Sequence, residues 1–100
     1  MDYRTGKTDD IPSGQMRQYS LEDREILVVN LAGRFYGLAA RCTHAGAPLV
    51  EGSLQDDVLT CPWHGSRFKV TDGSLVRGPA EEPLKSYPAS VKDGFVYITA

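Results

Sequence analysis

Apolar and β-branched residues in this chain come in short runs, each broken by a turn signal. The breaks fall at Asp10-Ile11-Pro12-Ser13-Gly14, Ala32-Gly33-Arg34, Glu51-Gly52-Ser53, Thr71-Asp72-Gly73 and Lys92-Asp93-Gly94. Many short runs between such breaks are the pattern of a β sandwich or barrel. Strands are predicted over residues 15–20, 25–31, 34–39, 58–60, 67–70, 85–92 and 95–99, with one helical turn around 21–24. The expected fold class is all-β, built from short antiparallel strands in a single domain over 1–100.

Two hairpins stand out. The stretch ILVVNL, residues 26–31, is almost continuously apolar, as expected of a strand covered on both faces. It is predicted to turn at Ala32-Gly33 into RFYGLAA, residues 34–40. The second hairpin turns at Asp93-Gly94, and Val91, Phe95 and Tyr97 are expected to share one of its faces. Residues 41–84 hold more Gly and Pro than their flanks and read as loops and short strands inserted into a β scaffold.

Composition narrows the class. Hydrophobic residues at 41% and charged residues at 24% are ordinary for a globular domain. A net charge of -2 argues against nucleic-acid binding, which calls for a basic patch. No apolar run approaches the ~20 residues that span a bilayer. The opening MDYRTGKTDDIPSG has no apolar signal core, so no membrane partner and a cytoplasmic location are expected.

The chemistry is concentrated in four residues. Cys42, His44, Cys61 and His64 are all the cysteines and histidines of the chain. They form two mixed pairs, Cys42-x-His44 and Cys61-x-x-His64, separated by residues 45–60. In a reducing compartment metal binding is a better explanation for two cysteines than a disulfide. Three readings are open: small buried cysteines with incidental histidines, a structural zinc in a zinc-stabilised interaction module, and a [2Fe–2S] centre with two Cys on one iron and two His on the other. Zinc knuckles usually pair Cys with Cys and His with His. Mixed pairs let each loop give one ligand to each iron.

The segments CTHAGAPL (42–49) and CPWHGSRF (61–68) resemble the two cluster-binding boxes of the Rieske [2Fe–2S] family, and GPAEEPL (78–84) resembles its proline loop. The resemblance extends over nearly the whole chain. It implies a Rieske-like fold with a cluster-binding subdomain at about 41–84. It implies that Cys42 and Cys61 bind the buried iron of one [2Fe–2S] cluster. His44 and His64 then bind the outer iron through Nδ1, with Nε2 facing solvent. Rieske proteins of quinol-oxidising complexes carry a further disulfide and a Ser and a Tyr hydroxyl near the cluster sulfurs. Here Ala47 and Trp63 stand at the disulfide positions, Ser66 matches the Ser, and Phe68 stands where the Tyr would be. Phe has no hydroxyl to donate, which implies a low potential within the family. The chain therefore resembles the soluble ferredoxins of ring-hydroxylating dioxygenase systems. Such proteins carry single electrons from a flavin-dependent ferredoxin reductase to a terminal oxygenase and are not themselves enzymes. A small Rieske-like subunit of a larger redox enzyme, of the nitrite-reductase type, is the alternative.

Around the boxes, Trp63 is expected to pack over the base of its loop. Arg41, Arg67 and Lys69 are expected to form a solvated face. Gly46 and Gly65 follow the histidines at turns.

Overall fold

The computed structural model describes residues 1–100. Its organising strand is β3 (Arg24–Leu31), whose apolar run is buried on both sides. Ile26 and Val28 point to one side, into a core with Ile11, Leu21, Val96 and Ile98. Leu27 and Val29 point to the other, into a core that also contains Leu59, Phe68, Cys42 and Cys61. Alternation along one strand thus joins the scaffold to the site.

Three antiparallel sheets surround these cores. The first is β1 (Asp2–Lys7), β11 (Phe95–Thr99) and β10 (Ala89–Lys92), in the order β1-β11-β10. The second is β2 (Met16–Leu21), β3, β4 (Arg34–Ala39) and β9 (Ser86–Tyr87), in that order. The third, β5 (Ser53–Gln55), β6 (Val58–Thr60), β7 (Arg67–Lys69) and β8 (Leu75–Arg77), lies within the inserted segment. Leu54, Leu59, Phe68 and Leu75 are in register across the third sheet and turn toward the site core. The all-β antiparallel class is as expected. No helix is long and apolar enough to cross a membrane.

Several elements differ from the sequence reading. The helical turn expected at 21–24 is a two-residue β turn, with Glu22 at φ 52° between paired Leu21 and Arg24. The strand expected over 85–92 is divided at Pro88. Ser86 and Tyr87 pair with β4, while residues 89–92 pair with β11. Proline has no N–H to continue a ladder, so the chain changes sheets there. Gly37 permits this approach, because a Cβ would lie 2.9 Å from the Tyr87 carbonyl oxygen. The shared face expected for Val91, Phe95 and Tyr97 is also corrected. The turn Asp93-Gly94 sets Val91 opposite Val96, while Phe95 and Tyr97 oppose Lys92 and Ser90. Residues directly opposite share a face, so Val91 belongs with Val96. Strands β1, β5 and β8 have no counterpart among the predicted elements.

The buried Asn30 is bonded at both ends of its side chain. Its Nδ2 donates to the Ile11 carbonyl at 2.8 Å, and its Oδ1 accepts from the Gly33 amide at 2.8 Å. It fixes the β3–β4 turn, whose Ala32 and Gly33 both have positive φ as a two-residue hairpin turn requires.

Candidate metal centre

Two loops emerge from strands of different sheets and close on themselves. The first, residues 41–48, follows β4. Its Cys42 amide donates to the Ala47 carbonyl at 3.0 Å, and the Gly46 amide returns to the Cys42 carbonyl at 2.9 Å. The second, residues 61–66, joins β6 to β7, and its Cys61 amide donates to the Ser66 carbonyl at 2.8 Å. Gly46 and Gly65 have φ of 74° and 76°, values that tolerate no β-branched side chain at low cost. These closures turn each cysteine inward and each histidine outward. Cys42 and Cys61 are 4% and 3% exposed, and His44 and His64 are exposed.

The four residues therefore lie in two layers. Both cysteines are free and belong to the site core. Burial holds the Cys42 thiol above its ordinary range. The His44 backbone amide opposes this by hydrogen-bonding the sulfur, and the neighbouring Cys61 thiol raises the value further. Above them the imidazoles of His44 and His64 meet edge to face, with centroids 4.9 Å apart. No group of three or more His, Cys, Asp or Glu side chains is placed around one ion. A sulfur pair below a nitrogen pair suits two metal atoms, one bound by each pair.

A third segment, residues 78–84, is fastened to both loops. The Ala80 amide donates to Ser66 Oγ at 2.9 Å, and Thr43 Oγ1 donates to the Glu82 carbonyl at 2.7 Å. The Leu84 amide donates to the Gly73 carbonyl at 2.8 Å. Ala80 and Leu84 are buried. Beside it a polar groove is lined by Thr43, His44, Pro79, Glu81 and Glu82.

Ser66 carries the test of fit. It is 0% exposed, and its hydroxyl oxygen accepts the Ala80 amide, while its own proton meets no acceptor in the chain. Buried donors are normally paired. An acceptor held between the loops, such as a cluster sulfide, would complete it. Two soft thiolates and two imidazoles are also the donor set that an iron–sulfur centre of mixed ligation requires.

Other expectations are revised. Trp63 does not pack over its loop base; it is 56% exposed beside His64. Arg41 is exposed, as expected, and is also tied into the fold. Its Nε donates to Glu25 at 3.2 Å and its Nη1 to the Gly46 carbonyl at 3.2 Å. Glu25 also accepts from the Gln18 side chain, so β2, β3 and the first loop are tied together. Arg41 and Glu25 are both partly exposed, and such pairs contribute roughly 0–1 kcal/mol. Arg67 and Lys69 are exposed on the outer face of β7, as expected. Sequence reading missed the Ser66–Ala80 and Thr43–Glu82 bonds, whose partners are remote along the chain.

A family model described as the Rieske [2Fe-2S] domain matches residues 1–88. The chain is 36% identical over 91 residues to human apoptosis-inducing factor 3, covering 91% of this chain and 15% of that protein. It is 34% identical over 94 residues to the cytochrome b6-f complex iron-sulfur subunit of Chlorobaculum tepidum, covering 94% of this chain and 51% of that one. It thus spans between a seventh and a half of those two relatives' lengths. It is 36% identical over 92 residues to the 3-phenylpropionate/cinnamic acid dioxygenase ferredoxin subunit of Photorhabdus laumondii, covering 91% of this chain and 87% of that subunit. Among solved structures, it superposes with a TM-score of 0.92 and 31% identity on a chain from the complex of reduced oxygenase and oxidized ferredoxin in carbazole 1,9a-dioxygenase, covering 98% of this chain and 92% of that one.

Proposed function

This chain belongs to the Rieske [2Fe–2S] domain family, and from that membership we propose that it is an electron-transfer ferredoxin serving a terminal oxygenase. Its cofactor is one Rieske-type [2Fe–2S] cluster. We assign Cys42 and Cys61 to one iron, His44 and His64 to the other, and residues 41–84 to the cluster-binding subdomain. The observation that carries this reading is the layering of a buried cysteine pair beneath an exposed histidine pair. When bound, the cluster supplies a one-electron couple.

The chain's own residues set how that couple is used. The site core excludes water from the sulfur side, where Cys42, Cys61 and Phe68 are buried. The His44 amide stabilises the Cys42 sulfur in its charged, metal-binding form. The histidine edges are the exposed side, so an electron enters and leaves there. Trp63 and Pro62 are exposed next to His64 in the chain, and exposed Pro79 lines a groove with His44. Exposed aromatic anchors dominate many interfaces. A flavin-dependent reductase and an oxygenase are the partners this reading calls for, met transiently in the cytoplasm.

Reconstitution tests the function. A purified oxygenase and flavin reductase should turn over only when this chain is added, and Trp63→Ala should slow transfer to the oxygenase by roughly tenfold or more without changing the midpoint potential. A chain that no reductase reduces and no oxygenase oxidises would refute the reading. The long relatives that share this domain favour a second reading, a small Rieske subunit of a larger redox enzyme. It predicts stable co-purification with that enzyme instead of transient exchange.

A further inference from the structure

Ser66 holds two parts of the site at once. Its carbonyl closes the second loop on the Cys61 amide at 2.8 Å, and its hydroxyl oxygen receives the Ala80 amide at 2.9 Å. The Ala80 donor is not free to drift. Ala80 is buried, and the same segment is anchored on both sides of the site by the Thr43–Glu82 and Leu84–Gly73 bonds. The amide therefore occupies a lone pair of the Ser66 oxygen and turns the hydroxyl proton away from the 78–84 segment. That proton has no acceptor in the chain.

We propose that the Ala80 amide is a positioning group for the cluster's redox potential, acting through Ser66. The amide orients and polarises the Ser66 hydroxyl, which donates its proton toward a sulfur of the bound cluster. The inference rests on the ligand assignment made above. Its physical basis is cooperativity: an O–H group that accepts a hydrogen bond becomes a stronger donor, by roughly 10–30% per bond. A donor to the cluster favours the reduced, more negative state. The 78–84 segment would then raise the potential through a residue that is not itself a ligand. A purely structural role for the Ser66–Ala80 bond predicts an effect on stability and none on potential.

The test removes the amide and keeps the serine. The full chain is assembled by ligation at Cys61 from segments 1–60 and 61–100, with an ester in place of the amide between Pro79 and Ala80. After cluster loading, its midpoint is measured by protein-film voltammetry beside Ser66→Ala and the combination. The relay predicts that Ser66→Ala lowers the midpoint and that the ester lowers it by about a tenth to a third as much. In the Ser66→Ala background the ester should cause no further shift. An equal shift in both backgrounds, or none in either, overturns the proposal. Failure of the ligand assignment would show separately, as loss of the mixed-ligand spectrum in the unmodified assembled chain. Should the ester chain not load, hydrogen exchange on the loaded wild-type chain decides. The relay predicts slower exchange of the Ala80 amide in the reduced than in the oxidised protein, and loss of that difference in Ser66→Ala. Equal protection in both states contradicts it.

Discussion

The imidazole rings of His44 and His64 lie 4.9 Å apart at an interplanar angle of 80°. They come from loops that leave different strands and share no backbone hydrogen bond with each other. What brings them together is the core beneath. Cys42 and Cys61 are buried in one cluster with Leu27 and Val29 of the scaffold strand. Each loop then presents its histidine a fixed number of residues beyond its cysteine.

On the proposed ligand assignment, removing a ligand should leave the scaffold largely in place. Cys42→Ala and Cys61→Ala should abolish the cluster, and His44→Ala and His64→Ala should leave little of it. Metal binding here couples chiefly to ordering of the two loops. The far core around Ile26, Val28, Val96 and Ile98 contains no residue of the two Cys/His loops and should keep its native circular dichroism. Iron and labile-sulfide assays with visible spectra check this. A normal spectrum in any of the four variants would show that residue not to be a ligand.

The absence of a hydroxyl at Phe68 bears on the potential. Phe68 is 0% exposed, sits in register with Leu59 and Leu75, and shares a core with both cysteines. Fewer donors to the sulfurs leave the reduced state less stabilised. The midpoint should fall near the lower end of the roughly -150 to +300 mV span of Rieske centres. Phe68→Tyr should raise it. Voltammetry giving a wild-type value in the upper half of that span would contradict this account.

Gly52 illustrates a constraint invisible in composition. A Cβ there would collide with the Thr60 carbonyl oxygen and lie 3.1 Å from that of Leu49. Both are backbone atoms, and Thr60 directly precedes Cys61. Gly52→Ala should cost roughly 1–3 kcal/mol, and in a domain of this size each kcal/mol lowers Tm by about 4–8 °C. It should also impair cluster retention. An unchanged Tm would show that the close approach is not maintained in solution.

Asp72 gives the turn before β8 a pH dependence. Its Oδ1 accepts from the Ser74 amide at 2.9 Å. That bond, followed by one with the Ser74 side chain, holds the Asp72 carboxyl below its ordinary range. A folded-state value lower than the unfolded one contributes stability above the unfolded value, lost as pH falls through the folded value. The turn also carries Gly73, on which Leu84 is hung. The Ser74 amide resonance should titrate below the usual carboxylate range, and Asp72→Asn should remove that step. Titration at the ordinary value would refute the bond.

Much of this arrangement was legible in the chain. The run at 26–31 marked a strand buried on both faces, and the turns at Ala32-Gly33 and Asp93-Gly94 marked two hairpins. The two Cys/His boxes marked two segments that the fold brings together. What escaped reading depends on distant partners. Strand β1 has no apolar alternation strong enough to announce it and is defined by pairing with β11. Proline 88 divides two strands because different sheets claim its neighbours. Trp63 is apolar yet exposed, a placement that propensity does not foresee. The Ser66–Ala80 bond joins residues that only the folded core brings together.

The central claim is that His44 and His64 are both ligands of one iron. The chain contains only these two histidines, so uniform histidine labelling is site-specific. Pulsed electron paramagnetic resonance of the reduced protein grown with ¹⁵N-histidine measures the outcome directly. Two distinct imidazole couplings are predicted, together with the low average g value of mixed His and Cys ligation. A spectrum with one ¹⁵N coupling, or with none, would contradict the assignment.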